Sequence, residues 1–222
     1  MSIFVAGLDL GQAQDHSALV ITEAHGTMYT DISPAYPTEG PPLVHVDVRY
    51  ILRYDLGTKY DAVAGDVRQR IAKVPAPKYL VVDETGVGRP VVELLAQLGL
   101  HPHGITIASG GNATLAEPMH VHVPKRDLVG GAQVCLQNRI LRIGKDLPHA
   151  ELLVRELLAF RAKISEAGHD TYAAWRERDH DDLVLAASMA VWFAREAFAY
   201  AYAQEMERRA WAATPRYEIS PV

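Results

Sequence analysis

Cysteine is all but missing from this 222-residue chain: Cys135 stands alone, inside a run with helical spacing. One thiol excludes an intramolecular disulfide and a cysteine-based zinc cage, and makes a reducing, cytoplasmic setting the default. A basic excess is missing too. The 22 Lys and Arg face 27 Asp and Glu, a net charge of −5, so no global positive field draws the chain to nucleic acid. Contact with DNA must then come from local groups: Lys125 with Arg126, Arg139 with Arg142 and Lys145, Arg161 with Lys163, or Arg176 with Arg178. No cationic segment precedes the first apolar stretch, which runs into an acid at Asp9, so neither a secretion signal nor a membrane span is expected there. Internal repeats, low-complexity tracts and an obvious linker are absent as well.

What is present is ample material for a core, at 49% hydrophobic residues. One domain over residues 1–212 with a flexible tail over 213–222 is the economical reading. Residues 3–10, 17–23 and 43–53 read as strands, the last with Val44, Val46 and Val48 in alternation; 26–42, with four prolines, reads as a surface loop. Helices are expected over 59–73, 89–98, 125–138 and 147–159, with strands at 78–83, 104–108, 119–123 and 139–143 between them. Phe160–Ile164 and Thr171–Ala174 read as a last hairpin, and a long Ala- and Leu-rich helix follows from Leu183 to about Arg209. Antiparallel strands followed by βαβ units give a mixed sheet with packed helices.

Three separated acidic points carry the chemistry. The apolar run Ile3-Phe-Val-Ala-Gly-Leu-Asp9 ends in a carboxylate, and so does Lys78-Tyr-Leu-Val-Val-Asp83 ahead of a glycine-rich turn; His180-Asp181-Asp182 opens the final helix. Capping of free backbone N–H groups accounts for one aspartate of the pair, yet it leaves the two strand-end acids unexplained. Carboxylates on buried elements are costly unless a cation meets them, and a few of them can hold two hard divalent ions about 4 Å apart for in-line attack on a phosphodiester.

These residues resemble a known family. Gly7-Leu-Asp9-Leu-Gly11 with Asp15, Val81-Val-Asp83-Glu-Thr-Gly86-Val-Gly88 with Pro90-Val-Val-Glu-Leu-Leu95, Val123-Pro-Lys125-Arg-Asp-Leu128, Leu152 to Phe160 leading into Lys163, and His180-Asp181-Asp182-Leu-Val-Leu-Ala-Ala are similar to the nuclease domain of tailed-phage large terminase subunits. The resemblance spans about residues 5–195. It implies an α/β, RNase H-like fold, a mixed sheet with helices on both faces. It also implies an endonuclease that uses two Mg²⁺ or Mn²⁺ ions to cut concatemeric phage DNA during packaging. Asp9, Asp83 and one of Asp182 and Asp181 become the catalytic metal ligands, Asp182 being favoured. Lys125 would face the scissile phosphate or hold a carboxylate, and Arg126 would join it on DNA. His180, Glu84 and Asp15 are the remaining auxiliary candidates. Double-stranded DNA, a small terminase subunit, a separate ATPase motor and a portal protein are the implied partners, in the host cytoplasm.

Large terminases carry an ATPase motor, and this chain has no Gly-x-x-x-x-Gly-Lys-[Ser/Thr], so ATP hydrolysis is not expected of it. Weak, salt-sensitive DNA affinity is expected from the acidic balance. Rival readings are a Holliday-junction resolvase or transposase-like nuclease on the same fold, a sugar-kinase-like phosphotransferase, and a non-catalytic RNase H-like partner-binding protein. The kinase needs a second phosphate loop, which the sequence lacks. His120 and His122, on one strand face, and Tyr200, Tyr202, Trp211, Phe193 and Phe198 along the final helix, are read as packing or surface residues.

Overall fold

The computed structural model describes residues 2–11, 15–26, 44–85, 89–108, 110–166 and 181–213. Its sheet begins with β1 (Ser2–Asp9), β2 (Ala18–Gly26) and β3 (Val44–Arg53). These are antiparallel neighbours, with Asp9 opposite Ala18 and Ala18 opposite Arg53. Helix α1 (Tyr60–Lys73) leads to β4 (Lys78–Asp83), and α2 (Arg89–Gln97) to β5 (His103–Ala108). A short hairpin, β6 (Thr114–Glu117) and β7 (His120–Pro124), is followed by α3 (Lys125–Gln137), β8 (Leu141–Ile143), α4 (Ala150–Glu166) and α5 (Asp182–Ala213). The eight strands run in the order β6-β7-β5-β4-β1-β2-β3-β8. Pairings β1–β4, β4–β5, β5–β7 and β3–β8 are parallel, which makes the sheet mixed.

Side chains alternate across the sheet, so each strand feeds two cores. On one face Val5, Val20, Val81 and Ile105 pack under α5, with Leu128, Leu153 and Leu157 from α3 and α4. On the other, Leu8, Leu19, Leu80 and Val82 meet Val63, Val67, Val91 and Leu95 of α1 and α2. Helices thus cover both faces, as expected. By length and composition α5 could cross a membrane over Asp182–Ala201. Its hydropathy has another cause: every residue from Asp182 to Val191 is buried in the core of this fold.

Two expectations need correcting. Residues 160–164 are not a strand, because α4 runs on through Glu166; no proline or glycine interrupts 150–166, and the alternating Phe160-Arg-Ala-Lys-Ile164 fits a helix as well as a strand. Its proposed partner Thr171–Ala174 lies outside the described residues. The start of α4 also moves from Leu147 to Ala150, since Pro148 disfavours helical backbone at Leu147 and His149 takes a positive φ of 60°. Strand β6 was not anticipated. All four of its residues are exposed, so it carries no apolar alternation to read.

Candidate active site

The parallel pairing of Leu8 with Val82 places the next residues, Asp9 and Asp83, side by side at the ends of adjacent strands. Both share the parity of Val5 and Val81, so they project to the α5 face. Helix α5 begins there. Asp181 gives the first helical acceptor, its carbonyl taking the Leu185 N–H at 2.9 Å, and Asp182 is the first helical residue. Four carboxylates from three elements thereby lie within electrostatic reach of one another at the C-terminal ends of the central strands β1 and β4.

Their electrostatics are those of a crowded anionic centre. Asp9 is buried, and its carboxyl is pushed well above the usual range by that burial first, then by Asp83, Asp182 and Asp181; Lys125 alone opposes them. Asp182 is likewise raised by burial, against the pull of Arg53. Two cations bracket the group. Lys125 Nζ, at the start of α3, donates to Asp181 Oδ2 at 2.7 Å. Arg53, at the end of β3, donates to Asp182 Oδ2 from Nε at 3.2 Å and from Nη2 at 3.0 Å. Asp83 Oδ1 accepts the Thr85 N–H at 2.8 Å, fixing the turn after β4.

The remaining sequence candidates scatter. Glu84 leaves the acid cluster: Gly104 pairs with Val82 on the α1 and α2 face, and Glu84 lies over it to accept from Thr106 Oγ1 at 3.0 Å and pair with His120 Nδ1 at 2.9 Å. His122 is exposed, and so is Asp15. Arg126 is exposed and donates to the Gly111 carbonyl at 2.9 Å. His180 lies outside the described residues. Of the aromatic residues on α5, Phe198 is buried, Phe193 packs on Tyr79 and His103, and Tyr200 is exposed; the side chains of Tyr202 and Trp211 fall outside the description.

Three residues at the site were not anticipated: Arg53, His16 and Glu156. His16 acts electrostatically on Asp182, and its Nδ1 donates to the Tyr54 carbonyl at 2.8 Å. Glu156, on α4, caps α5 across space, its Oε2 accepting the Val184 N–H at 3.2 Å. The side-chain cap of this helix therefore comes from a neighbouring helix, while the local Asp181 side chain serves Lys125.

Glu156 titrates near neutrality. Burial pushes its carboxyl up to about 7, with Asp182 and Asp181 adding to the rise while the Val184 N–H and Arg53 oppose it. The folded protein therefore holds this proton more tightly than the unfolded chain, and stability falls as pH climbs from the ordinary carboxylate value to about 7. Glu156→Gln keeps an acceptor for Val184 and removes the ionisation. The variant is expected to exceed wild type by about 2 kcal/mol above pH 8, solvent screening allowed for, and to lose that advantage near pH 4. Thermal melts at the two pH values check it.

As a donor set these side chains suit a hard divalent cation: all oxygen, negatively charged, and fixed to the ends of rigid elements. Among the described residues no three acid or imidazole side chains gather closely enough to form a metal-holding group; Asp181 pairs with Lys125 and Asp182 with Arg53.

In a comparison of folds, a solved structure of the large terminase nuclease from the thermophilic phage G20c matches over 85% of this chain and 81% of that one, with a TM-score of 0.50 and 16% sequence identity. The fold is that of a large terminase nuclease. The mixed eight-stranded sheet with helices on both faces is accordingly the RNase H-like α/β architecture. At this identity the likeness is one of fold. No family model matches the chain, and no curated protein matches it by sequence.

Proposed function

We propose that this chain is a metal-dependent DNA endonuclease of the terminase type, acting on concatemeric phage DNA during genome packaging. The observation that carries the reading is the burial of Asp9 among like charges, beside Asp83 at the end of the neighbouring central strand and within electrostatic reach of Asp182. A fold adopted only for binding gains nothing from a carboxylate kept at that cost. Asp9, Asp83 and Asp182 would together hold a pair of Mg²⁺ or Mn²⁺ ions, with Asp9 as the buried member of the set. Such ions, when bound, supply the charge that activates a water and stabilises the leaving oxygen. Lys125 contributes positive charge at the rim, where a phosphate would approach Asp181.

Residues 1–212 form the working domain in this reading, the tail expected from 213 onward lying outside the described residues after Ala213, and the site of action is the host cytoplasm. Double-stranded DNA is the substrate, brought by a small terminase subunit, a separate motor and the portal. Net charge supports the dependence on partners, since an acidic protein binds DNA poorly by itself. A resolvase-like nuclease with the same acids differs only in substrate.

Conversion of supercoiled plasmid to nicked and linear forms tests the proposal. Cleavage is expected with Mn²⁺ or Mg²⁺, to stop with chelator, and to be lost in Asp9→Asn, Asp83→Asn and Asp182→Asn. Preference for a four-way junction over the plasmid would favour the resolvase reading; well-folded wild type that cuts neither with either metal would reject the nuclease.

A further inference from the structure

We infer that Arg53 is a positioning residue that makes Asp182, rather than its neighbour Asp181, the helix-borne metal ligand of the cleavage site. The inference rests on the nuclease reading above. Its basis is a row of side chains across the sheet: Asp83, Asp9, Ala18 and Arg53 occupy successive positions on β4, β1, β2 and β3, all on the α5 face. Neighbouring strands are about 4.8 Å apart, so Arg53 starts about 10 Å from Asp9 and needs a clear lane to reach the acids. Ala18, fully buried between them, leaves that lane open with a single methyl.

The way Arg53 grips its partner is informative. A guanidinium and a carboxylate that simply neutralise each other favour the parallel fork, one N–H on each oxygen. Here both Nε and Nη2 fall on Oδ2, so Arg53 commits one oxygen of Asp182 and makes no bond to Oδ1. A carboxylate held by one oxygen has a fixed plane and keeps the other for a cation. The pair is sequestered, at 16% exposure for the Arg53 side chain and 4% for that of Asp182. Asp181 contrasts on each count: its side chain is 28% exposed and its partner is Lys125, a point charge on a flexible stem with no fixed fork. The Arg53 charge also acts on Glu156, another carboxylate beside this helix end.

Mn²⁺ binding to the full chain without DNA, followed by calorimetric titration and electron paramagnetic resonance, tests this independently of cleavage. Arg53→Gln and Arg53→Lys are each expected to weaken Mn²⁺ binding about 10- to 100-fold. The sign is diagnostic, because removing a nearby positive charge by itself strengthens cation binding. Asp182→Asn should weaken binding comparably, and Asp181→Asn by far less. Melts in chelator establish that each variant is folded, and the charge-preserving Arg53→Lys serves where Arg53→Gln is not. In cleavage assays the folded Arg53 variants should lose kcat with KM for DNA little changed. Unchanged or tighter Mn²⁺ binding in both Arg53 variants, or a greater loss in Asp181→Asn than in Asp182→Asn, overturns the inference while leaving the nuclease intact. Wild type that binds no Mn²⁺ overturns the nuclease reading and this inference with it.

Discussion

Asp9→Asn is expected to abolish DNA cleavage, by about 10³-fold or more, and at the same time to raise the melting temperature of the metal-free protein. The first effect follows if Asp9 helps hold the catalytic cations, since an amide carries no charge to do so. The second follows from its burial. The folded protein holds the Asp9 proton far more tightly than the unfolded chain, because ionisation there is opposed by desolvation and by Asp83, Asp182 and Asp181. Stability therefore declines as pH rises from about 4 through the folded value and stays reduced above it. Asparagine removes the ionisation and with it the decline. A gain of at least about 3 °C in chelator at neutral pH, the equivalent of about 1 kcal/mol at this chain length, is the expected result. Saturating Mn²⁺ should reverse the order, since only wild type gains stability from the bound cation. An asparagine variant that melts lower than wild type in chelator would mark Asp9 as a structural residue and count against the functional reading. Such an opposition between stability and activity is the mark of a strained functional site.

The legibility of this site in the sequence was uneven, for physical reasons. Asp9 and Asp83 could be read because each ends an unbroken apolar run, and a parallel sheet brings such ends together. Arg53 could not. Simple alternation from Val44, Val46 and Val48 puts Tyr50 and Leu52 on the same face and sends Arg53 to the other. The pairing of β2 with β3 slips between Ile21 and Thr22, however, and the extra residue in β3 reverses the parity, so that Ile51 and Arg53 join Val46 and Val48 under α5 while Tyr50 and Leu52 pack with α1. A bulge of one residue thus delivers a cation to the acids, and nothing local in 44–53 announces it. Glu156 and His16 were hidden for a related reason: each meets α5 only through tertiary packing, 26 residues away for Glu156 and Asp182 by number. Glu84, an auxiliary candidate, turns to His120 and Thr106 because adjacency to Asp83 in sequence means the opposite face of a sheet.

Gly7→Ala is expected to damage stability and catalysis together, in contrast to Asp9→Asn. A Cβ at Gly7 would lie 1.9 Å from the Ala186 carbonyl oxygen, 2.9 Å from its carbon and 3.2 Å from the Ala190 nitrogen, all backbone atoms of α5. No rotamer relieves such contacts, so the helix must withdraw from β1. Ala186 lies one turn along from Asp182, so the displacement reaches the acid that α5 carries to Asp9. Overpacking of this kind costs about 1–3 kcal/mol or more, a fall of roughly 3–10 °C. A ligand misplaced by about 1 Å costs on the order of 10²-fold in rate. Gly65→Ala, inside α1, provides the control: nothing lies within 4 Å of its Cβ position, and alanine there should stabilise the helix by about 0.5–1 kcal/mol without touching activity. The glycine two residues before Asp9 is then part of the catalytic geometry through backbone contact alone. If Gly7→Ala melts and cleaves like wild type, α5 does not lie on β1 as described, and the convergence of Asp182 on Asp9 loses its support.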